Sequence, residues 1–229
     1  MKNTKPSIIL YFAACFVFVV SVLLGNNDLM LLSKPIIAPS ILFFYLQENR
    51  LKINWRFVIV LILFFVGDMM VLLEFEEKSH IIPLLFLIGY CFFLKDILDD
   101  LLQLRIKFVN KKNLLVLLIC LFFLIYLLVT ILDLMIDSQQ QNLMLFVLYG
   151  IVLVLIGIVS SFCYVIKQIR FTFFMLLTSL CFVISDVFYI LKSHFEEVEI
   201  FGLLNNLPQA LSYYFLAKYY LLRPLQYRK

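Results

Sequence analysis

Asp68 and Asp186 lie inside stretches that are otherwise almost pure hydrocarbon: Phe64-Phe65-Val66-Gly67-Asp68-Met69-Met70-Val71 and Cys181-Phe182-Val183-Ile184-Ser185-Asp186-Val187-Phe188. A carboxyl group in such a setting costs about 2.5–3.5 kcal/mol even on the lenient insertion scale, so a chain that keeps two of them has a use for them. Each follows a small residue, Gly67 or Ser185, and each precedes an acidic segment with a histidine, Glu74 to His80 and His194 to Glu199. Two carboxyl groups in one low-dielectric cavity do not both ionise cheaply. One then stays protonated and can act as an acid while the other stays charged, which is the equipment for proton-transfer chemistry.

Other polar groups fall at the same depth. At 1.5 Å per residue, Asp68 is about 20 Å beyond Trp55 and Asp186 about 22 Å beyond Phe171, in the outer third of a bilayer core roughly 30 Å thick. Lys34 is ~8 Å in from the end of its own run, and Asn205 and Asn206 are at a similar level. Asn205, Gln209 and Ser212 are spaced four then three, and Asn206, Gln209 and Tyr213 three then four, so each set shares a helix face. A face of amides turned to lipid is costly, so it is expected to look inward. Interhelical hydrogen bonding, worth ~0.6 kcal/mol per contact, is the alternative use for such a stripe.

The elements that must position these groups follow from composition. The chain has 229 residues and is 64% hydrophobic and 15% charged, with a mean hydropathy of +1.04. Soluble domains run at about 45–50% apolar, so this is read as a multi-pass membrane protein. Runs of about 20 apolar residues occur near 7–25, 29–47, 55–73, 81–102, 113–132, 142–166, 171–192 and 199–222. The expected fold is all-α, a single bundle of eight transmembrane helices occupying 1–229 as one integral membrane domain. A β-barrel is excluded, because the runs lack apolar/polar alternation.

Orientation follows from the basic residues. Lys2, Lys5, Arg50, Lys52, Arg56, Arg105, Lys107, Lys111, Lys112, Lys167, Arg170, Arg223, Arg228 and Lys229 fall on one side, and only Lys78 and Lys192 on the other. Both termini are therefore expected in the cytoplasm, most simply of a bacterial plasma membrane. The net charge of +4 describes the inner rim and implies no nucleic-acid partner. The first run follows Lys2 and Lys5 as in a signal peptide, but it continues to Leu24 without a small-x-small cleavage site and reads as a retained helix.

Helices three and seven share orientation and both carry small-Asp. This fits either a parallel four-helix repeat or chance placement. Pro35 and Pro39 interrupt helix two and Pro208 helix eight, which suits a cavity between helices. Asp96, Asp99 and Asp100 share a face at the cytoplasmic end of helix four and read as a solvated helix end. The five cysteines lie inside helices without a CxxC pair and read as small apolar residues. His80 and His194 form no metal-binding pattern, and no P-loop, GxGxxG or GxSxG is present. No metal and no cofactor are expected.

Lys34-Pro35 with Pro39, then Gly67-Asp68, then Phe182-Val183-Ile184-Ser185-Asp186, then Tyr214-Phe215-Leu216-Ala217-Lys218 resemble in order and spacing the signatures of the lysoplasmalogenase-like (YhhN) membrane proteins. The resemblance spans roughly residues 33 to 220. Such proteins commonly carry Ala-His-x-x-Tyr in helix four. Here the segment after Gly89 reads Tyr90-Cys91-Phe92-Phe93-Leu94-Lys95-Asp96-Ile97, with no histidine. Phe215 and Lys218 stand where tyrosine and glutamine are usual.

The resemblance implies hydrolysis of the vinyl-ether bond of a lysoplasmalogen-type lysophospholipid, giving a fatty aldehyde and a glycerophospho head group. It implies Asp68 and Asp186 as catalytic groups, with Lys34, Asn205, Asn206, Gln209 and Tyr214 binding or positioning the substrate. The lipid bilayer is the expected setting. The same intramembrane carboxylates also fit a proton- or ion-coupled transporter, in which they would be carriers and Lys34 their counter-ion.

Overall fold

The computed structural model describes residues 5–49, 53–73, 80–104, 111–137, 143–194 and 199–226. These form eight helices: α1 (Pro6–Leu23), α2 (Asn27–Glu48), α3 (Trp55–Leu72), α4 (Ile81–Gln103), α5 (Lys111–Asp137), α6 (Leu143–Ile166), α7 (Arg170–His194) and α8 (Glu199–Gln226). Six of them, α1 to α4, α6 and α7, are long and apolar enough to cross a membrane. The protein is a multi-pass helical membrane protein.

The expected runs lie within a few residues of the helices, and the differences are at the ends. α5 continues past 132 to Asp137 and α8 past 222 to Gln226, because a helix does not stop where its apolarity does. α8 is less hydropathic for a visible reason: Asn205, Ser212, Tyr213, Tyr219 and Tyr220 are turned inward and buried. At 28 residues it is about 42 Å long, enough to span.

Local signals set several ends. Gly25 has φ +60°, the left-handed conformation that glycine adopts without strain, and it reverses the chain between α1 and α2. Asn26 then caps α2 by accepting from the Leu29 N–H at 3.0 Å, and Asn54 caps α3 by accepting from the Arg56 N–H at 3.1 Å. Pro35 and Pro39 sit inside α2, each withdrawing the N–H that would bond the carbonyl four residues earlier.

Packing repeats with a shift of four helices. α1 packs on α2, α2 on α3 and α3 on α4, as α5 packs on α6, α6 on α7 and α7 on α8. The halves join by two matching contacts, α4 on α6 and α8 on α2, while α8 also touches α1 and α3. Glycine allows the close approach of α3 and α4: a Cβ at Gly89 would lie 2.5 Å from Phe64 Cε1, and one at Gly67 would lie 2.9 Å from Phe86 Cζ.

Aromatic rings fill the middle of the bundle. Phe64 of α3 meets Phe182 of α7 with centroids 5.0 Å apart. Phe182 meets Phe93 of α4 at 5.7 Å, and Phe93 meets Tyr219 of α8 at 5.8 Å. Edge-on contacts of this kind add to the burial of the rings themselves.

Below that stack the acidic end of α4 departs from the expected solvated helix end. Asp96 and Asp100 are fully buried. The Tyr220 hydroxyl donates to Asp96 Oδ2 and the Tyr219 hydroxyl to Asp100 Oδ2, each at 2.5 Å. Arg223 reaches Asp100 at 2.7 Å and Asp96 at 2.8 Å. Arg56 reaches Asp96 at 2.6 Å and Asp99 at 3.1 Å. α3, α4 and α8 are thus tied together by ionic hydrogen bonds.

Candidate functional site

Two helices supply the carboxyl groups and their neighbours dress them differently. Asp68, buried on α3, accepts from the Gln209 amide on Oδ1 and from the Tyr213 hydroxyl on Oδ2. The Lys34 ammonium of α2, also buried, stands 3.8 Å from Oδ1. Both oxygens are engaged and a cation faces them, which are the surroundings of a carboxylate.

Asp186 on α7 has a different shell. Tyr90 of α4 and Tyr149 of α6 both donate to its Oδ2 at 2.7 Å. Among the described residues no hydrogen bond reaches Oδ1 and no cation pairs with the group. A half-buried carboxyl in apolar surroundings without a counter-charge is cheapest when neutral, and the open Oδ1 is where its proton can sit.

The donors follow the repeated packing: Asp68 is held from α8 and α2, and Asp186 from α4 and α6. Phe64 and Phe182 lie four residues before Asp68 and Asp186 respectively, on the same helix faces. Since those rings touch, the two aspartates stand one turn beyond a shared aromatic floor. α8 bridges them. Gln209 holds Asp68, and Asn205, one turn away, accepts from the Ser185 hydroxyl at 2.9 Å, beside Asp186.

The space around the pair is divided. Asp68, Lys34, Gln209 and Tyr213 line one small pocket. Asp186 and Tyr149 line a second one, lined otherwise by apolar side chains of α5, α6 and α7. The pockets have no lining residue in common, and Asn205 lines neither of them.

Of the residues expected at the site, Lys34, Gln209 and Asn205 take part in this arrangement. Asn206 donates to the Gly202 carbonyl of its own helix at 2.8 Å and contacts neither carboxyl group. Tyr214 faces α1 and α2, its ring 6.3 Å from Tyr11 and 5.4 Å from Phe12. The tyrosine on Asp68 is Tyr213. One residue along a helix turns a side chain by about 100°, which separates the two positions.

Tyr90 and Tyr149 were not singled out from the sequence. A usable signal existed: a buried tyrosine hydroxyl needs a partner. Tyr90 is about 13 Å from the start of α4, Tyr149 about 9 Å from the start of α6, and Asp186 about 12 Å from the end of α7. Tyr90 lies in the segment where the resemblance implies a histidine, so a hydroxyl donor occupies that side of Asp186.

Neither a curated protein nor a solved structure matches the chain. The family model of the YhhN family matches residues 29–225, a stretch that contains Lys34, Asp68, Tyr90, Tyr149, Asp186, Gln209 and Tyr213. The protein is a member of the YhhN family.

Proposed function

We propose that the protein is a membrane-embedded hydrolase of the vinyl-ether bond in lysoplasmalogen-type lysophospholipids, releasing a fatty aldehyde and a glycerophospho head group. The unequal dressing of the two aspartates carries this reading. Vinyl ethers hydrolyse by protonation at carbon, which needs a neutral acid at the double bond and negative charge near the cation that forms. Asp186 has the surroundings of the acid and Asp68 those of the fixed negative charge.

Asp186 Oδ1–H protonates the carbon of the double bond that is not attached to oxygen, and the electron pair moves to give an oxocarbenium ion. The charge of Asp68 favours that ion. Water adds to the cationic carbon and gives a proton to Asp186, which restores the acid and leaves a hemiacetal. The hemiacetal C–O bond to the glycerol breaks and its hydroxyl proton passes to the departing oxygen, giving aldehyde and alcohol. Tyr90 and Tyr149 hold Asp186 in place, and Ser185 and Asn205 position the bridge. Lys34 keeps Asp68 charged and attracts the anionic head group.

The stack Phe64–Phe182–Phe93–Tyr219 lies between this level and the ionic cluster of Asp96 and Asp100. Such a barrier supports a pocket open towards one leaflet over a transporter's path. In keeping with the basic asymmetry, all eight helices cross the bilayer with both termini cytoplasmic, and the carboxyl pair lies towards the outer leaflet.

The test is to incubate purified protein with lysoplasmalogens and with the matching acyl and alkyl lysolipids. Aldehyde release from the vinyl ether alone is expected. Failure to release aldehyde, together with ion or solute flux in proteoliposomes that is lost in Asp68→Asn, would move the assignment to the transporter.

A further inference from the structure

The pocket at Asp186 has a feature that the head-group side lacks. Its walls are hydrocarbon, among them Leu124 and Leu128 of α5, Leu153 and Val154 of α6, and Val183 and Val187 of α7, and its polar members are Asp186 and Tyr149. Along α7 the lining runs from Val183 to Ile190 and along α6 from Phe146 to Val154. The lining residues thus extend along roughly 10–12 Å of the helix axes, with Asp186 partway along.

The outer wall, α5, is held from one side. Among the described residues α5 packs extensively on α6 only, and its Leu118, Ile119, Phe122 and Phe123 are exposed on the opposite face. Its inner face rests on glycines: Leu128 Cδ1 fills the place that a Cβ of Gly150 would need, and Leu124 Cδ1 lies 3.0 Å from where a Cβ of Gly157 would be. These leucine ends are flexible side chains set against bare backbone, so they can move aside without breaking a polar contact. Within a bilayer the neighbour of such a wall is lipid, not water.

We infer that the α5–α6–α7 cleft is a binding slot for the single hydrocarbon chain of a lysolipid, reached sideways from the bilayer past α5. This deepens the hydrolase reading and rests on it for the identity of the lipid. A chain in the slot passes Asp186 Oδ1, the one position in the cleft with a carboxyl oxygen free of hydrogen bonds among the described residues. The chain's polar end then points along the Ser185–Asn205–Gln209 bridge towards Lys34. Lipid tails are as apolar as the leucines of the slot, so moving a chain from bilayer to cleft gains little from hydrophobicity. Selection is therefore by shape, and bulk in the slot excludes the chain.

The probe is a lysophosphatidylcholine carrying a photoactivatable diazirine in its chain, added to the full-length protein in lipid nanodiscs, with labelled residues mapped by mass spectrometry. Labelling is expected to concentrate between residues 124–131, 146–154 and 183–190 and to be competed by unlabelled lysolipid. Val154→Phe, which fills the slot, should lower it at least fivefold. Leu128→Ala, which widens the slot, should raise it or move it inward. Leu155→Phe, on the exposed face of the same helix, should leave it unchanged. Labelling spread evenly over outward positions such as Phe122, indifferent to both Val154→Phe and Leu128→Ala, would overturn the slot. The readout is binding alone. Labelling in the cleft without aldehyde release would remove the hydrolase reading and keep the slot, and aldehyde release with labelling elsewhere would do the reverse.

Discussion

Asp186→Asn is expected to lower kcat by about 10²–10⁴-fold, the usual contribution of a positioned acid, with little change in KM. It should also cost almost no stability, because asparagine is a near-isostere of a protonated aspartic acid. Its carbonyl can still accept from Tyr90 and Tyr149, which donate at 2.7 Å. Asp68→Asn should abolish turnover as well, but at a structural cost, since it removes the charge facing the buried Lys34 ammonium at 3.8 Å. Leaving one member of a buried ion pair uncompensated is destabilising. Adding Lys34→Met to Asp68→Asn should recover much of the stability and none of the activity. Single-turnover aldehyde release and thermal unfolding, measured on the same preparations, separate the two roles. Equal losses of stability in the two asparagine variants would contradict the assignment of Asp186 as the neutral member.

The second large effect concerns the opposite end of the bundle. Arg223→Ala should destabilise the protein by about 3–5 kcal/mol, because it removes the cation that pairs with both Asp96 and Asp100, which are fully buried. Folded domains have only about 5–15 kcal/mol in total. On the scaling for chains of this size the loss corresponds to a fall in Tm of roughly 6–20 °C. Arg56→Ala should cost much less, about 1 kcal/mol or below. The Arg56 side chain is 47% exposed, its charge is screened, and Asp96 keeps Arg223 and Tyr220. Thermal unfolding in one detergent checks both, and an equal shift for the two arginines would show that the buried network does not hold α4 to α8.

The contrast between these two ends explains which parts were legible in the sequence. Helix positions were, since an apolar run of bilayer length has few other uses. Asp68, Asp186 and Lys34 stood out because charges in hydrocarbon are rare, and Gln209 followed from the polar face of its helix, while Tyr213 was noted on that face but not named as a site residue. Tyr214 and Asn206 do not reach the carboxyl groups, and the reason is that α8 is enclosed by α7, α1, α2 and α3. A helix packed on several sides has no single inward face for periodicity to reveal. The ionic cluster was misread for another reason. Asp96 and Asp100 have basic neighbours close in sequence, Arg105 and Lys107, which suggest a solvated end. Their observed partners, Tyr219, Tyr220 and Arg223, come from a helix more than a hundred residues later, and no local charge pattern encodes that pairing. Tyr90 and Tyr149 were hidden by type, because a tyrosine in an apolar helix reads as bulk until its hydroxyl is given a depth and a partner.

Protonation at carbon is the central claim, and solvent isotope placement tests it most directly. A lysoplasmalogen would be hydrolysed in D2O with the aldehyde trapped as it forms, and the trapped product weighed and fragmented. Transfer from Asp186 to the double bond predicts a single deuterium on the carbon next to the carbonyl, absent when preformed aldehyde is trapped under the same conditions. Aldehyde without deuterium at that carbon would show that the bond breaks by another route and would contradict the account.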